Sequence, residues 1–112
     1  MATATSSARA PRPTAHWTFL TNHTHVLLCI ARDPEVRMRD VAAAVGVTER
    51  AVQRIVADLE EAGYLNHHRE GRRNHYEVIA SRPLRHAIER HCAVADLMAV
   101  LLAPPRRTRV RR

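Results

Sequence analysis

The sequence predicts a small, mainly α-helical domain that carries a single β-hairpin. Three observations lead to this prediction. A chain of 112 residues suits one compact domain. Its aromatic residues are only one Trp, one Phe and two Tyr, so Val, Leu, Ile and Ala must build the core, which favours helices. Apolar residues recur at spacings of three and four from residue 20 to residue 102, interrupted by a glycine turn between two extended runs.

A tail and one helix are predicted for the beginning of the chain. Residues 1–15 are rich in Ala, Ser, Thr and Pro without apolar periodicity, which predicts a disordered tail. The first helix follows Thr21, whose hydroxyl can accept a hydrogen bond from the amide of Thr24, and Pro34 ends the helix after Asp33. Its apolar face consists of Leu20, Val26, Leu27, Ile30 and Ala31.

Two further helices are predicted on either side of a tight turn. The second helix covers residues 40–45 and follows a short extended piece at residues 36–38. Gly46 then permits a turn with positive φ. Thr48 is a good N-cap for the third helix, whose apolar residues recur at spacings of one, three and four until Gly63 ends it.

A hairpin and a long helix complete the prediction. Two short extended runs flank Glu70-Gly71-Arg72, which is a hairpin signal. The last helix is predicted over residues 84–102, because an apolar stripe there steps by four and three before Pro104 and Pro105. The stripe consists of Leu84, Ile88, His91, Ala95, Met98 and Leu102.

The formal charge of +7 is concentrated at the two ends of the chain. Seven arginines lie in the tails: Arg9, Arg12, Arg106, Arg107, Arg109, Arg111 and Arg112. Residues 13–105 keep eleven arginines against eleven acids, and the chain has no lysine. The folded part is therefore neutral overall, and only a local arrangement of its charges can support nucleic-acid binding.

The sequence lacks the features that several classes of protein require. No run approaches the roughly 18 apolar residues of a membrane span, and residues 1–15 lack the apolar segment of a signal peptide, so a cytoplasmic protein is expected. Cys29 and Cys92 form no CxxC motif and are predicted to be small buried hydrophobic residues. No catalytic constellation is visible, so neither an enzyme nor a cofactor is predicted. The eight histidines lack the four-ligand spacing of structural zinc, so no metal is predicted.

The run "DVAAAVGVTERAVQRIVADLEEAGYL" resembles the winged helix-turn-helix of bacterial MarR- and ArsR-type transcription regulators. Ala42, Gly46, Val52 and Ile55 match the packing and turn positions of that motif. The preceding "LTNHTHVLLCIARDP" resembles the helix before the motif in MarR proteins, whereas "REGRRNHYEV" is more similar to the ArsR hairpin. The resemblance covers roughly residues 18–103.

The resemblance implies a division of the chain into functional parts. Residues 16–82 would be a winged helix-turn-helix DNA-binding domain, with a recognition helix at 48–62 in the major groove and a wing at 66–78 on the flanking backbone or minor groove. Residues 83–103 would be a dimerisation helix and residues 104–112 a basic tail. The expected DNA-binding residues are Thr48, Glu49, Arg50, Gln53, Arg54, Arg69, Arg72, Arg73 and Asn74.

Alternatives remain open for two of these surfaces. The polar face of the third helix is either a reader of double-stranded DNA or a solvated face on a module that docks on proteins. The stripe of the last helix is either core or a homodimer seam, and the seam is preferred because so small a domain cannot cover it alone. A metal-responsive ArsR-like sensor is a further alternative, although residues 41–44 lack the cysteine pair of many ArsR sensors. The sequence identifies no small-molecule effector.

Overall fold

Four helices and one two-stranded antiparallel sheet form the fold in this computed structural model, which describes residues 17–104. In chain order the elements are α1 (Asn22–Arg32), α2 (Met38–Val45), α3 (Glu49–Glu61), β1 (Leu65–Glu70), β2 (Arg73–Val78) and α4 (Val94–Leu102). This arrangement is the mainly helical fold with a hairpin wing that the sequence predicted. The predictions for residues 1–15 and for the arginines of the basic tail lie outside the described residues.

The predicted caps of α1 and α3 are confirmed. The Thr21 hydroxyl accepts a hydrogen bond from the Thr24 amide at 3.3 Å, and the Thr48 hydroxyl accepts one from the Ala51 amide at 3.0 Å. Each cap satisfies an amide that has no partner within its helix and stabilises the protein by about 1 kcal/mol. The helix α2 begins two residues before the predicted start, at Met38.

The turn between α2 and α3 depends on Gly46. This residue has φ +90°, and its amide donates to the Ala42 carbonyl at 2.8 Å. The amide of Val47 donates to the same carbonyl at 3.1 Å, which closes the end of α2. Because the turn sets the angle between the two helices, Gly46 determines how α3 is presented to a partner.

Replacing Gly46 with Ala should lower the free energy of unfolding by about 1–2 kcal/mol, because a Cβ is strained at positive φ. A Cβ on Gly46 would have no atom within 4 Å, so the loss measures backbone strain alone. Urea denaturation of the two proteins checks this. Gly46→Asn is the matched control and should lose less, since Asn tolerates the left-handed region. Equal stability of the parent and the alanine variant would contradict the prediction.

The core lies between α1, α2 and α3 and is closed by the hairpin and α4. Tyr64 joins these parts, because its hydroxyl donates to the Pro83 carbonyl at 2.6 Å and its own carbonyl accepts from the Ile79 amide at 2.8 Å. The buried apolar residues are Val26, Leu27, Ile30, Val41, Ala42, Val52, Ile55, Val56, Leu59, Tyr64, Leu65, Tyr76, Val94 and Met98. Cys29 and Cys92 are both free thiols and are partly buried, rather than buried as the sequence predicted.

The wing is attached to the helical core along the outer edge of β2. Leu65 pairs with Val78, and the ladder continues to Glu70 and Arg73 at the tip. On the other side of β2, the Tyr76 amide donates to the Pro34 carbonyl at 2.9 Å. The connection between α1 and α2 therefore holds the base of the wing.

The predicted long helix over residues 84–102 is wrong for its first ten residues. The helix α4 begins at Val94, where the Asp96 carboxylate accepts a hydrogen bond from the Ala93 amide at 2.8 Å. Pro83 and Ala93 form an antiparallel bridge, and the Leu84 amide donates to the Cys92 carbonyl at 2.9 Å. These bonds close residues 85–91 into a loop, and they take the backbone groups that a continuous helix would pair internally. Between residues 17 and 104, no helix has the length and apolar character needed to cross a membrane.

Candidate nucleic-acid interface

The helix α3 has one buried side and one exposed side. Val52, Ile55, Val56 and Leu59 are buried against the other helices. At 100° per residue, Arg50 and Arg54 lie on the side of α3 that is opposite to these apolar residues. The apolar side anchors the helix, and the arginines project from the surface of the domain.

All five predicted recognition residues are exposed at the beginning of α3: Thr48, Glu49, Arg50, Gln53 and Arg54. Within residues 17–104, the side chains of Arg50, Gln53 and Arg54 make no hydrogen bond or ion pair. A partner could therefore bind these groups without first breaking an internal contact. Thr48 differs from them because its hydroxyl already caps the helix at the Ala51 amide.

Two histidines contact the carboxylates at the end of α3, and the sequence pattern did not predict these contacts. The Asp58 carboxylate lies 2.9 Å from Nε2 of His23 in α1. The Glu60 carboxylate accepts a hydrogen bond from Nδ1 of His67 in β1. Asp58 lies 35 positions from its partner, so no local sequence signal could have found that pair. Two acids at this end are thereby directed toward neighbouring elements rather than away from the domain.

The predicted wing residues do not share one surface. Arg69 pairs with Asn74 across the ladder, and the next pair, Glu70 with Arg73, projects to the opposite face. Gly71 and Arg72 form the two-residue turn at the tip, in which Gly71 has φ +63°. The wing therefore presents Arg69, Arg72 and Asn74 separately from Arg73.

Arg73 has a contact within the protein. Its Nη1 donates to the Glu35 carbonyl at 3.2 Å, in the connection between α1 and α2. Arg69 makes a longer contact, from Nε to the Gly71 carbonyl at 3.5 Å. Arg72 makes no side-chain hydrogen bond with the rest of residues 17–104. Of the three wing arginines, Arg72 is the one whose guanidinium has no competing contact among the described residues.

The wing face that carries Arg73 also carries Glu70, His68 and His75. Nε2 of His68 lies 3.0 Å from a Glu70 carboxylate oxygen. This hydrogen bond, followed by the charge of His68, lowers the pKa of the Glu70 carboxyl. His68 therefore favours the ionised form of the Glu70 carboxyl. Both histidines lie within the predicted wing, where strand alternation places His68 and Glu70 on one face.

The six predicted dimerisation residues are divided between a loop and α4. Leu84, Ile88 and His91 precede the helix, whereas Ala95, Met98 and Leu102 lie on it. Met98 is only 6% exposed and belongs to the core, and Leu84 packs partly buried against the core. Ile88 remains 78% exposed. The prediction of one continuous apolar stripe on a single helix is therefore wrong, although part of this apolar surface is still exposed.

The outer side of α4 is largely apolar, although it also carries the charged Asp96 near its beginning. Val94, Leu97, Met98 and Leu101 face the core, in the spacing of one helix side. The residues that remain exposed on the outer side include Ala95, Ala99, Val100 and Leu102. Val100 is 73% exposed. An apolar surface of this kind is usually buried, and no element among residues 17–104 covers this side of α4.

Comparison with known proteins identifies the family. The model of the MarR family matches residues 18–73, which is half of the 112-residue chain. Among solved structures, the chain is similar to the PcaV transcriptional regulator from Streptomyces coelicolor, with 21% identity and a TM-score of 0.46. The similarity covers 78% of this chain but only 63% of the length of that one. No curated protein matches the sequence.

The family match supports the MarR part of the resemblance, and the ArsR part stays a prediction. Regulators of the MarR family are transcription factors rather than enzymes, and they bind double-stranded DNA. The matched residues include the helix-turn-helix and most of the wing. The chain belongs to the MarR family of DNA-binding transcription regulators.

Proposed function

We propose that this protein is a cytoplasmic, sequence-specific transcription regulator that binds double-stranded DNA as a homodimer. The observation that carries the proposal is the exposed set of Arg50, Gln53 and Arg54 on α3. Their side chains make no hydrogen bond within residues 17–104, and the opposite side of the helix is buried. In a helix-turn-helix the second helix enters the major groove with its N-terminal residues at the base edges. The recognition segment at 48–62 is therefore the base reader in this proposal.

The side chains on this segment match the groups that bases display in the major groove. An arginine donates two hydrogen bonds to guanine O6 and N7, and Gln53 suits adenine N6 and N7. Glu49 can accept a hydrogen bond from cytosine N4. The amides at the beginning of α3 and the Thr48 hydroxyl would bind a backbone phosphate. Both the position and the chemistry of these residues fit base recognition.

The wing at 66–78 would contact the flanking backbone or the minor groove. Arg72 is the best placed for this contact, because it is at the tip and has no hydrogen bond within residues 17–104. Arg69 and Asn74 share one face of the ladder and would extend the same contact. Arg73 would position the wing through the Glu35 carbonyl, a role that differs from the phosphate contact predicted from the sequence.

A homodimer would cover the exposed apolar side of α4. Val100 and Leu102 lie on that side, and Ile88 lies in the loop that precedes the helix. MarR regulators typically act as dimers, and two-fold symmetry presents two recognition helices to two half-sites. Of the predicted seam, Ile88, His91, Ala95 and Leu102 remain candidates because they are exposed.

Binding to duplex DNA should weaken steeply with salt, because each phosphate contact releases counterions. If Arg69 and Arg72 of each subunit contact phosphates, four contacts give a slope of about −4 for log Kobs against log salt. Fluorescence anisotropy of labelled duplexes at several salt concentrations measures the slope. Arg72→Gln should make the slope shallower by about 2 in a homodimer.

The matched control is Arg90→Gln, which removes the same charge from an exposed position in the loop before α4. It should leave the slope unchanged. The rival function is a winged-helix module that docks on another protein and does not bind DNA. Absence of any salt-dependent binding to duplexes, including mixtures of random sequence, would favour that rival over the regulator.

A further inference from the structure

Side chains from three separate elements converge on the wing face that carries Arg73. Glu35 comes from the connection between α1 and α2, Glu70 from β1 and His75 from β2. One donor atom from each of these three side chains lies within 4.8 Å of the other two. Nδ1 of His75 is 3.4 Å from a Glu35 carboxylate oxygen. Residues that are distant in the sequence thus bring two carboxylates and an imidazole together.

His68 adds a second imidazole at the border of this cluster. It is the cross-strand partner of His75, and the two ring centroids are 5.2 Å apart. Its Nε2 lies 3.0 Å from the Glu70 carboxylate, to which it donates a hydrogen bond. A carboxylate ligand that is held by such a hydrogen bond is typical of metal sites in proteins.

The charges of the cluster favour a cation. Glu35 and Glu70 carry two negative charges, and the guanidinium of Arg73 carries one positive charge on the same face. These three side chains together carry a net charge of −1. The Arg73 guanidinium is directed to the Glu35 carbonyl, so at least one of its nitrogens is engaged there rather than at the carboxylates. Each carboxylate is paired with a histidine, and a shared cation would further offset the repulsion between the two carboxylates.

We propose that Glu35, Glu70 and His75 bind one divalent transition-metal cation of the Zn²⁺ class, with His68 positioning Glu70. Imidazole nitrogen together with carboxylate oxygen suits such a cation better than Mg²⁺, which prefers oxygen ligands alone. Metal–ligand distances of about 2.0–2.2 Å require the donors to close to about 3.3 Å from one another. The side chains of Glu35, Glu70 and His75 are each at least one-third exposed, so they have room to rotate until their donor atoms reach this separation.

The bound cation would fasten the wing to the connection between α1 and α2. The two strands of the wing contribute Glu70 and His75, and Glu35 belongs to the helical part of the domain. The existing links at this place include the Tyr76–Pro34, Arg73–Glu35 and His75–Glu35 hydrogen bonds. A cation with ligands on both sides would restrict motion of the wing relative to the helices.

Calorimetric titration of the metal-free, full-length protein with Zn²⁺ tests the site. We expect one Zn²⁺ per chain and no comparable binding of Mg²⁺. Glu35→Gln and His75→Gln should each weaken Zn²⁺ binding by more than 10-fold, and His68→Gln by about 10–100-fold. Matched controls are Glu77→Gln on the same face of β2 and His91→Gln in the distant loop, and both should bind like the parent. Melting curves without metal would establish that every variant is folded.

Hydrogen exchange supplies a second measurement on the same proteins. Zn²⁺ should slow exchange of the wing amides in the parent and in His91→Gln, but not in Glu35→Gln. The proposal is overturned if the parent binds no Zn²⁺, if the control variants lose binding equally, or if exchange in the wing does not change. Neither measurement involves DNA, so such a failure would leave the proposed function untouched, and a failure to bind DNA would leave this site untouched.

Discussion

Arg54→Ala should cost about 1–3 kcal/mol of binding to the preferred duplex while leaving the fold intact, if Arg54 reads a base. The side chain is exposed, has no internal hydrogen bond among residues 17–104, and lies opposite the buried residues of α3. Exposed substitutions of this kind usually change the free energy of unfolding by no more than about 0.5 kcal/mol. Gln53→Ala should behave in the same way, with relaxed preference at a different base pair.

Selection from random duplexes would first define the preferred site, and titrations of that site and of single-base variants would then measure both effects. Arg90→Ala is the matched control, because it removes an exposed arginine remote from α3 in the sequence. A reader substitution changes the order of preferred sequences, whereas loss of a phosphate contact weakens all sequences alike. If the Arg54 and Gln53 variants bind every duplex as tightly as the parent, this side of α3 is not the reader.

Local sequence signals predicted the first half of the fold because each of them acts over a few residues. Thr21 and Thr48 bond to amides three positions away, and Gly46 and Gly63 adopt the positive φ that ends their helices. The apolar spacing of α3 predicted which of its sides would be buried. Each of these features depends only on nearby residues, so the residue types and their spacing were enough to predict it.

The failures concern residues whose partners are distant in the sequence or whose backbone pairs outside the helix. The stripe from Leu84 onward has helical spacing, but the bridge between Pro83 and Ala93 replaces the first helical turns. The cluster of Glu35, Glu70 and His75 depends on Glu35 meeting a strand that begins 38 positions later, at Arg73. No periodicity reports such a contact, so only the folded arrangement could indicate that His75 has a carboxylate partner in the connection between α1 and α2.

Charging the outer side of α4, or the exposed loop that precedes it, should convert the proposed dimer into monomers. Val100→Glu and Ile88→Glu place a carboxylate on residues that are 73% and 78% exposed in the single chain, so the fold should persist. Met98 is unsuitable for this test, because a charge at a core position that is 6% exposed would unfold the domain. Light scattering measures the mass, and melting curves check the fold.

Val100→Glu and Ile88→Glu should also lower the affinity for a duplex with two half-sites by about 10²–10⁴-fold. In a dimer, binding of one recognition helix gives the second a high effective concentration at its half-site, and a monomer lacks this effect. Affinity for an isolated half-site should change little. Phe19→Glu is the informative comparison, since Phe19 is 93% exposed and stacks edge-on against Trp17 with centroids 5.4 Å apart. If Val100→Glu stays dimeric and Phe19→Glu becomes monomeric, the seam lies at this aromatic pair. The helix α3 and its arginines are unchanged in Val100→Glu and Phe19→Glu. A lower mass together with loss of two-site binding would therefore show that the substitution had removed dimer assembly rather than a base contact.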